Sequence, residues 1–364
     1  MTKPSLPPIK EIIPYLEKIW KTRIVTNYGE FHFEFEKKLT RYFGVKYVSL
    51  FNTGMSALQA ALKALEIEGE IITTPYTFIA TSNAIILNNC TPVFCDIEND
   101  SLNLDPKKIE TLITKKSKAI LPVHVYGLPC KVNKIQDIAN YYGLRCVYDA
   151  AHAFGVKLNG KSLLSYGDLS VVSFHGTKVF NTFEGGAVVT MNLELKKKID
   201  LIKNFGIADE ENVIEIGSNG KMDEFHSALG ILQLKYIKKN ILKRKKLTQE
   251  YRRLLKDVKG ISYLKYNNNV EYNYEYFPLF INCEKYGMCR DDLFNILKKN
   301  NVICRKYFYP IVNEFDLYKN NIKIKKYRCE NAKKASERVI CLPLYPELKY
   351  DEQKQIIRII IEKQ

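Results

Sequence analysis

Between Tyr47 and Met191 short apolar runs alternate with stretches of helical periodicity, and this alternation restricts the fold more than any other feature of the chain. "YVSLF" (Tyr47–Phe51) reads as a strand, and Met55, Leu58, Leu62 and Leu65 then recur on one helical face. "EIITT" (Glu70–Thr74), "PVFCDI" (Pro92–Ile97), "AILPVHV" (Ala119–Val125), "RCVYDAA" (Arg145–Ala151), "LSVVSF" (Leu169–Phe174) and "GAVVTM" (Gly186–Met191) read as further strands. Helices are predicted between them at Thr77–Asn89, at Asp105–Ile113, where Asp is an N-cap and Pro follows, and at Lys131–Gly143, which ends on Gly. The pattern predicts an α/β fold with crossover units on a mainly parallel sheet, whose chemistry lies at the carboxyl ends of the strands. Past Met222 the character changes. "MDEFHSALG…LLKDV" reads as a long helix or helix pair, and Ile261–Pro346 is rich in Tyr and Asn. The 364 residues therefore divide into a large domain, 1–239, and a smaller one, 240–364, with the N-terminal stretch expected against the second.

The net charge of +16 admits nucleic acid, an anionic membrane or an acidic small molecule as partner. The lysines are spread along the chain, with local clusters such as "KRKK" (Lys243–Lys246), and there is no long arginine-rich arm. A solvated Lys-rich surface explains this, so no nucleic-acid partner is expected. Nine scattered cysteines, an odd number without a C-x-x-C pair, fit free thiols in a reducing cytoplasm. The N-terminus lacks the apolar core of a signal peptide, and no run is long and apolar enough to span a membrane.

The strand ends carry the candidate chemistry. After the first strand comes "NTGMSAL", a small-residue turn into a helix. Gly54 with the amides of the helix start suits an anion, and Ser56 adds a hydroxyl; an ordinary Gly-containing loop reads the same way. Asp149 stands near the end of the fifth apolar run. It either caps a helix or pairs with a protonated ring nitrogen, and His152 is a buried histidine, a stacking residue or an acid/base group. Ser173 stands near the end of "LSVVSF", and His175, Thr177 and Lys178 follow it. A partly desolvated lysine at a sheet end forms Schiff bases, although any single lysine in so Lys-rich a chain reads as surface. An anion turn, an Asp and a lysine at successive strand ends are the parts a pyridoxal phosphate site needs. There is no H-E-x-x-H, no phosphate-binding G-x-x-x-x-G-K and no G-x-G-x-x-G after the first strand, so no metal, ATP or dinucleotide is expected.

Nearly the whole chain resembles the DegT/DnrJ/EryC1/StrS family of sugar-nucleotide aminotransferases, within the fold-type I pyridoxal phosphate enzymes. The likeness rests on "NTGMSALQAAL", "TTPYTFIATSNAI", "VHVYGLPC", "VYDAAHAFG", "SFHGTK…EGGAVVT", "GSNGKMDEFHSALG" and "CLPLYPEL", in that order. It implies a mainly parallel seven-stranded sheet flanked by helices, with a smaller α+β C-terminal domain. It implies that Lys178 binds the cofactor aldehyde and shuttles a proton, and that Asp149 keeps the pyridinium nitrogen protonated. Phe78 and His152, where many members have Gln, would flank the ring. Ser173 would hold the phosphate with Gly54, Met55 and Ser56. Asn219 would reach the phosphate in the neighbouring subunit of a homodimer. Met55 stands where Thr is common and offers only its amide.

The resemblance also implies a nucleotide-linked (dTDP or UDP) ketosugar as acceptor and L-glutamate as donor. "SFH-x-x-K…EGG" is common among members that aminate C4, so His175 and Glu184 favour C4 over C3. "NTFEGG" with "RKYFYP" looks most like enzymes that make dTDP-4-amino-4,6-dideoxyglucose (viosamine) for surface glycans. Arg305 or Lys306 would contact the pyrophosphate, and Tyr28, Tyr307 and Tyr309 would line the sugar or base pocket. A regulatory, non-catalytic protein on the same scaffold is the reading from another class; Asp149, Ser173 and Lys178 together argue against it.

Overall fold

A computed structural model describes residues 3–321, 324 and 327–362. Two helices, α1 (Ile9–Thr22) and α2 (Glu30–Phe43), precede the main sheet. Its strands are β1 (Tyr47–Phe51), β2 (Glu70–Thr73), β3 (Thr91–Phe94), β4 (Ser117–Leu121) and β5 (Arg145–Asp149). After a small hairpin, β6 (Lys157–Leu158) and β7 (Lys161–Ser162), come β8 (Leu169–Ser173) and β9 (Gly186–Thr190). The order across the sheet is β1-β9-β8-β5-β4-β2-β3. Every pair from β8 to β3 is parallel, and β9 runs antiparallel to both β8 and β1. The mainly parallel α/β architecture read from the alternation is the one observed.

Both faces of the sheet are covered, which is why its strands read as continuous apolar runs. Ala119, Leu121, Val171 and Val188 meet residues of α3 (Gly54–Ala64), α4 (Ile79–Leu87) and the later helix Leu193–Ile202. Their chain neighbours Ile120, Val172, Ala187 and Val189 face the other way, into a core with α2, Val132–Tyr142 and the start of helix Glu224–Leu254. Each strand therefore divides its side chains between two cores at the two-residue period. The helix starts are sequence-encoded. Thr53 accepts the Ser56 N–H at 3.0 Å while Ser56 Oγ accepts the Thr53 N–H at 3.3 Å, a reciprocal cap.

The expected helix or helix pair is one 31-residue helix, Glu224–Leu254. Its first half packs Ala228, Leu229, Ile231 and Leu232 into the large-sheet core. Its end places Tyr251 in a second core, against an antiparallel sheet β10-β12-β13. There β10 is Ile261–Tyr263, β12 is Phe277–Ile281 and β13 is Val339–Leu342, while β11 (Val270–Glu271) pairs with β6. Residues 239 and 240 both lie within this helix. In the N-terminal stretch, Ile12 and Ile19 join the large-sheet core, and Ser5 hydrogen-bonds Glu347 of the C-terminal region.

Two expectations need correction. Cys283 and Cys289 form a disulfide with Cα atoms 4.5 Å apart, because a short helix, Cys283–Tyr286, turns the chain back; the other seven thiols are free and buried. Within "KRKK", Arg244 is not solvated surface. It is 2% exposed, and its Nη1 donates to the carbonyls of Glu275 and Leu344. Among the described residues no helix is long and apolar enough to cross a membrane.

Gly230 tests the packing of the long helix on α2. A Cβ there would lie 2.3 Å from the Phe35 ring, which is fully buried. Gly230→Ala gains about 1 kcal/mol of helix propensity. It forces overpacking that costs about 1–3 kcal/mol. The variant is expected to melt below wild type, and a melting temperature equal to or above it contradicts this packing.

Candidate active site

The carboxyl ends of β1, β5 and β8 open into one cavity of about 440 Å³. The start of α3 supplies Gly54 and Met55 to its wall, the residue capping α4 supplies Phe78, and the C-terminal region supplies Tyr276, Arg305, Tyr307 and Phe308. The α3 end is built for an anion. Thr53 occupies the Ser56 and Ala57 N–H groups, and among the described residues nothing accepts from Gly54 or Met55 N–H. Ser173, the last residue of β8, stands beside this turn. A Cβ on Gly54 would lie 3.0 Å from the Ser173 Cβ and 3.1 Å from its Oγ, so a side chain there would crowd that hydroxyl.

Asp149 ends β5 and is 4% exposed. Its Oδ2 accepts from Thr81 Oγ1 at 2.7 Å and its Oδ1 from the Ala151 N–H at 3.1 Å. Burial raises its carboxyl above the usual range; the Thr81 and Ala151 hydrogen bonds and the Lys178 charge oppose that. His152 is buried too, and burial, helped by the Lys178 charge, pushes its imidazole well below the usual value. Its Nδ1 accepts the Tyr126 N–H at 3.2 Å, which puts the proton of the neutral ring on Nε2. Phe308 lies parallel to the ring at 5.9 Å. The ring is held by aromatic neighbours and a backbone donor.

Lys178 reaches the cavity from the loop after β8. Its Nζ lies 3.6 Å from Glu275 Oε1 and 5.9 Å from the centre of the Tyr276 ring. At the rim His175 Nε2 lies 3.6 Å from Glu184 Oε1, and its Nδ1 lies 2.9 Å from Thr177 Oγ1. Arg305 and Tyr307 line the same cavity. A phosphate cradle, a buried carboxylate and an amine in one cavity are the donor set that pyridoxal phosphate requires.

Five residues singled out in the sequence lie outside this cavity in the single chain. Ser56 Oγ is committed to Asn52 Oδ1 and the Thr53 carbonyl. Tyr28 donates to the Asp200 carbonyl and lies under Lys203. Lys306 pairs with Asp291, and the Tyr309 ring packs on Arg290. Asn219 is exposed, its carbonyl accepting from Asn52 beside the anion turn. Conversely, Thr81, Tyr276, Glu275 and Phe308 belong to the site without having been singled out. Thr81 had a signal, a hydroxyl within the first turn of α4. The others come from irregular C-terminal segments without periodicity.

Comparison with known proteins agrees with this geometry. The model of the DegT/DnrJ/EryC1/StrS aminotransferase family matches residues 8–361, and the chain belongs to that family. It is 47% identical to the dTDP-4-amino-4,6-dideoxy-D-glucose transaminases of Shigella dysenteriae, over 362 residues, and Escherichia coli, over 364. Each alignment covers 100% of this chain and 98% of the relative. Among solved structures, DesI in the presence of its TDP-sugar product superposes with a TM-score of 0.95 at 29% identity, over 99% of this chain and 91% of that one. NtdA from Bacillus subtilis with bound cofactor PMP gives 0.89 at 27%, over 100% and 85%.

The raised Asp149 carboxyl fixes the sign of a stability effect. The folded state holds this proton more tightly than the unfolded chain, so the stability Asp149 contributes is present at acid pH. It is lost as pH rises from the unfolded value of about 3.9 through the folded one. At neutral pH the ionised group opposes folding of the cofactor-free protein. Asp149→Asn is expected to raise its melting temperature at pH 7 by ~2–4 °C, the shift of about 1 kcal/mol in a large domain. The gain should fade in acid; a cofactor-free variant that melts lower at pH 7 refutes it.

Proposed function

We propose that the protein is a pyridoxal phosphate-dependent transaminase. It moves the amino group of L-glutamate to C4 of dTDP-4-keto-6-deoxy-D-glucose, yielding dTDP-4-amino-4,6-dideoxy-D-glucose and 2-oxoglutarate. The observation that carries this is the meeting of Lys178, Asp149 and the α3 amides in one cavity with the His175–Glu184 pair at its rim. Two relatives named for that product, alike over the full length, support the sugar.

When bound, pyridoxal phosphate supplies an aldehyde that takes the amino group and a ring that withdraws electrons. In this reading the chain's own groups divide the remaining work. The Gly54 and Met55 amides and the Ser173 hydroxyl would hold the phosphate. Asp149, buried and without a close cation, would pair with the protonated ring nitrogen. Phe78 and His152 would flank the ring, and a neutral His152 would add no positive charge against that proton. Lys178 would hold the aldehyde, and its free amine would carry a proton between the reacting carbons. Arg305 and Tyr307 face the nucleotide diphosphate, and His175 with Glu184 orients the sugar. Lys306 and Tyr309, engaged elsewhere, have no part in this reading.

We further propose a homodimer. The segment from Asn204 to Asn219 folds back on itself and exposes Phe205, Ile207, Val213, Ile214 and Ile216. Such an apolar patch suits a protein partner. Asn219 at its base, and Tyr28, would then act at the neighbouring site. Light scattering should return twice the 42.2 kDa chain mass; a monomer at micromolar concentration contradicts the dimer. We read residues 1–239 and 240–364 as two domains joined through the long helix.

Pyridoxal phosphate should give wild type a visible absorption band that Lys178→Ala abolishes. With glutamate and a panel of dTDP- and UDP-ketosugars, NMR should locate the new amine at C4 of the dTDP-linked product. Amination at C3, or turnover of UDP-acetamido sugars alone, overturns the assigned sugar. A wild type that never binds pyridoxal phosphate overturns the whole reading.

A further inference from the structure

Glu275 has no part in the chemistry above, yet it touches the residue at its centre. Its side chain is 0% exposed, neither carboxylate oxygen makes a close hydrogen bond, and the groups placed to interact with them are the Lys178 amine and the Tyr276 hydroxyl. A buried carboxylate in that condition is retained only where a charge needs it. Arg244 is close in the fold, but its Nη1 is spent on the Glu275 and Leu344 backbone carbonyls. The one cation within ion-pairing distance among the described residues is Lys178, with Nζ 3.6 Å from Oε1.

The placement of this carboxylate is built from two directions. Asn273 Oδ1 accepts the Glu275 N–H at 3.2 Å, while Asn273 Nδ2 donates to the carbonyls of His152 and Phe154 at 2.8 and 3.1 Å. Arg244, from the long helix, holds the Glu275 carbonyl at 3.1 Å. The peptide units on both sides of Glu275 are thus tied to the cavity wall and to the helix that links the two cores. Arg244 and Tyr276 face Glu275, and Asp149 and His152 face Lys178. Burial raises the Glu275 carboxyl, and the Lys178 and Arg244 charges oppose that rise.

We propose that Glu275 is a positioning residue for Lys178: its carboxylate is the buried counter-charge beside the lysine nitrogen, and the acceptor with which the amine exchanges its proton when it is free of the cofactor. The exchange breaks one Nζ–H bond and forms one Oε1–H bond, and needs no other reactant. The reaction demands it. A lysine that takes a proton from one carbon and returns it to another must be held near both and kept from leaving as a solvated ammonium. The proposal rests on the transaminase reading for its purpose, but the Lys178–Glu275 pair is testable without it.

The test compares wild type with Glu275→Gln and Glu275→Asp. In pyridoxal phosphate-loaded protein, Glu275→Gln is expected to lower the pH midpoint of the visible band by about one unit or more, because the positive form of the lysine nitrogen loses a charge within 4 Å. Glu275→Asp should restore part of the shift. Affinity for pyridoxamine phosphate, which forms no bond to Lys178, should stay within about twofold, since an isosteric amide leaves the phosphate and ring contacts alone. An unchanged midpoint, or pyridoxamine phosphate binding lost in parallel, overturns the proposal. A thermal-melt cycle on cofactor-free wild type, Lys178→Met, Glu275→Gln and the double variant reads the pair directly. Removing the carboxylate should rescue part of the stability that Lys178→Met loses, and strictly additive effects overturn the pairing. If wild type shows no visible band at all, the transaminase reading fails, and the melt cycle still decides the pair.

Discussion

The site exists because one strand enters the sheet backwards and can do so without a side chain at its first residue. β9 runs antiparallel between β1 and β8, and its first residue, Gly186, pairs with Phe51 on one side and Ser173 on the other. A Cβ on Gly186 would lie 2.8 Å from both the Cα and the N of Gly54. This close approach sets the α3 amides beside the Ser173 hydroxyl. With β5 next to β8, the Asp149 carboxylate falls into the same opening. Anion cradle, carboxylate and lysine loop are neighbours because of that strand order.

The electrostatics of the cavity are unfavourable by themselves, and that is informative. Asp149 and Glu275 are buried acids whose carboxyls are pushed up, and Arg244 is a buried cation. His152 escapes the cost by staying neutral. A structure selected for stability alone would fill such a space with apolar side chains. Here the Asp149 and Glu275 carboxylates both interact with the amine of Lys178, which lines the cavity, as expected of a functional site.

Much of this was legible in the chain. Asp149 and Ser173 sit near the ends of apolar runs, where strand periodicity and the α/β rule locate chemistry, and the structure makes each the last residue of its strand. Lys178 and the "NTGMS" turn follow two such runs directly. Ser56 was legible as a hydroxyl at a helix start but not as one consumed by its own cap, since that depends on the Thr53 and Asn52 side chains. Lys306 and Tyr309 flank cavity-lining residues in sequence yet turn to Asp291 and Arg290, because neighbours in an irregular segment point in unrelated directions. Glu275 offered no signal, being one acidic residue among tyrosines and roughly a hundred positions from the lysine it meets.

By itself the sequence determined the layered α/β architecture, the ends at which the sheet is reactive and the chemical types gathered there. These follow from local periodicity, caps and residue chemistry. Only the tertiary structure decided which reactive groups share a cavity, which are spent on packing and which carboxylate faces the lysine. Those relations depend on strand order and on side chains brought together from distant parts of the chain, and no local pattern encodes them.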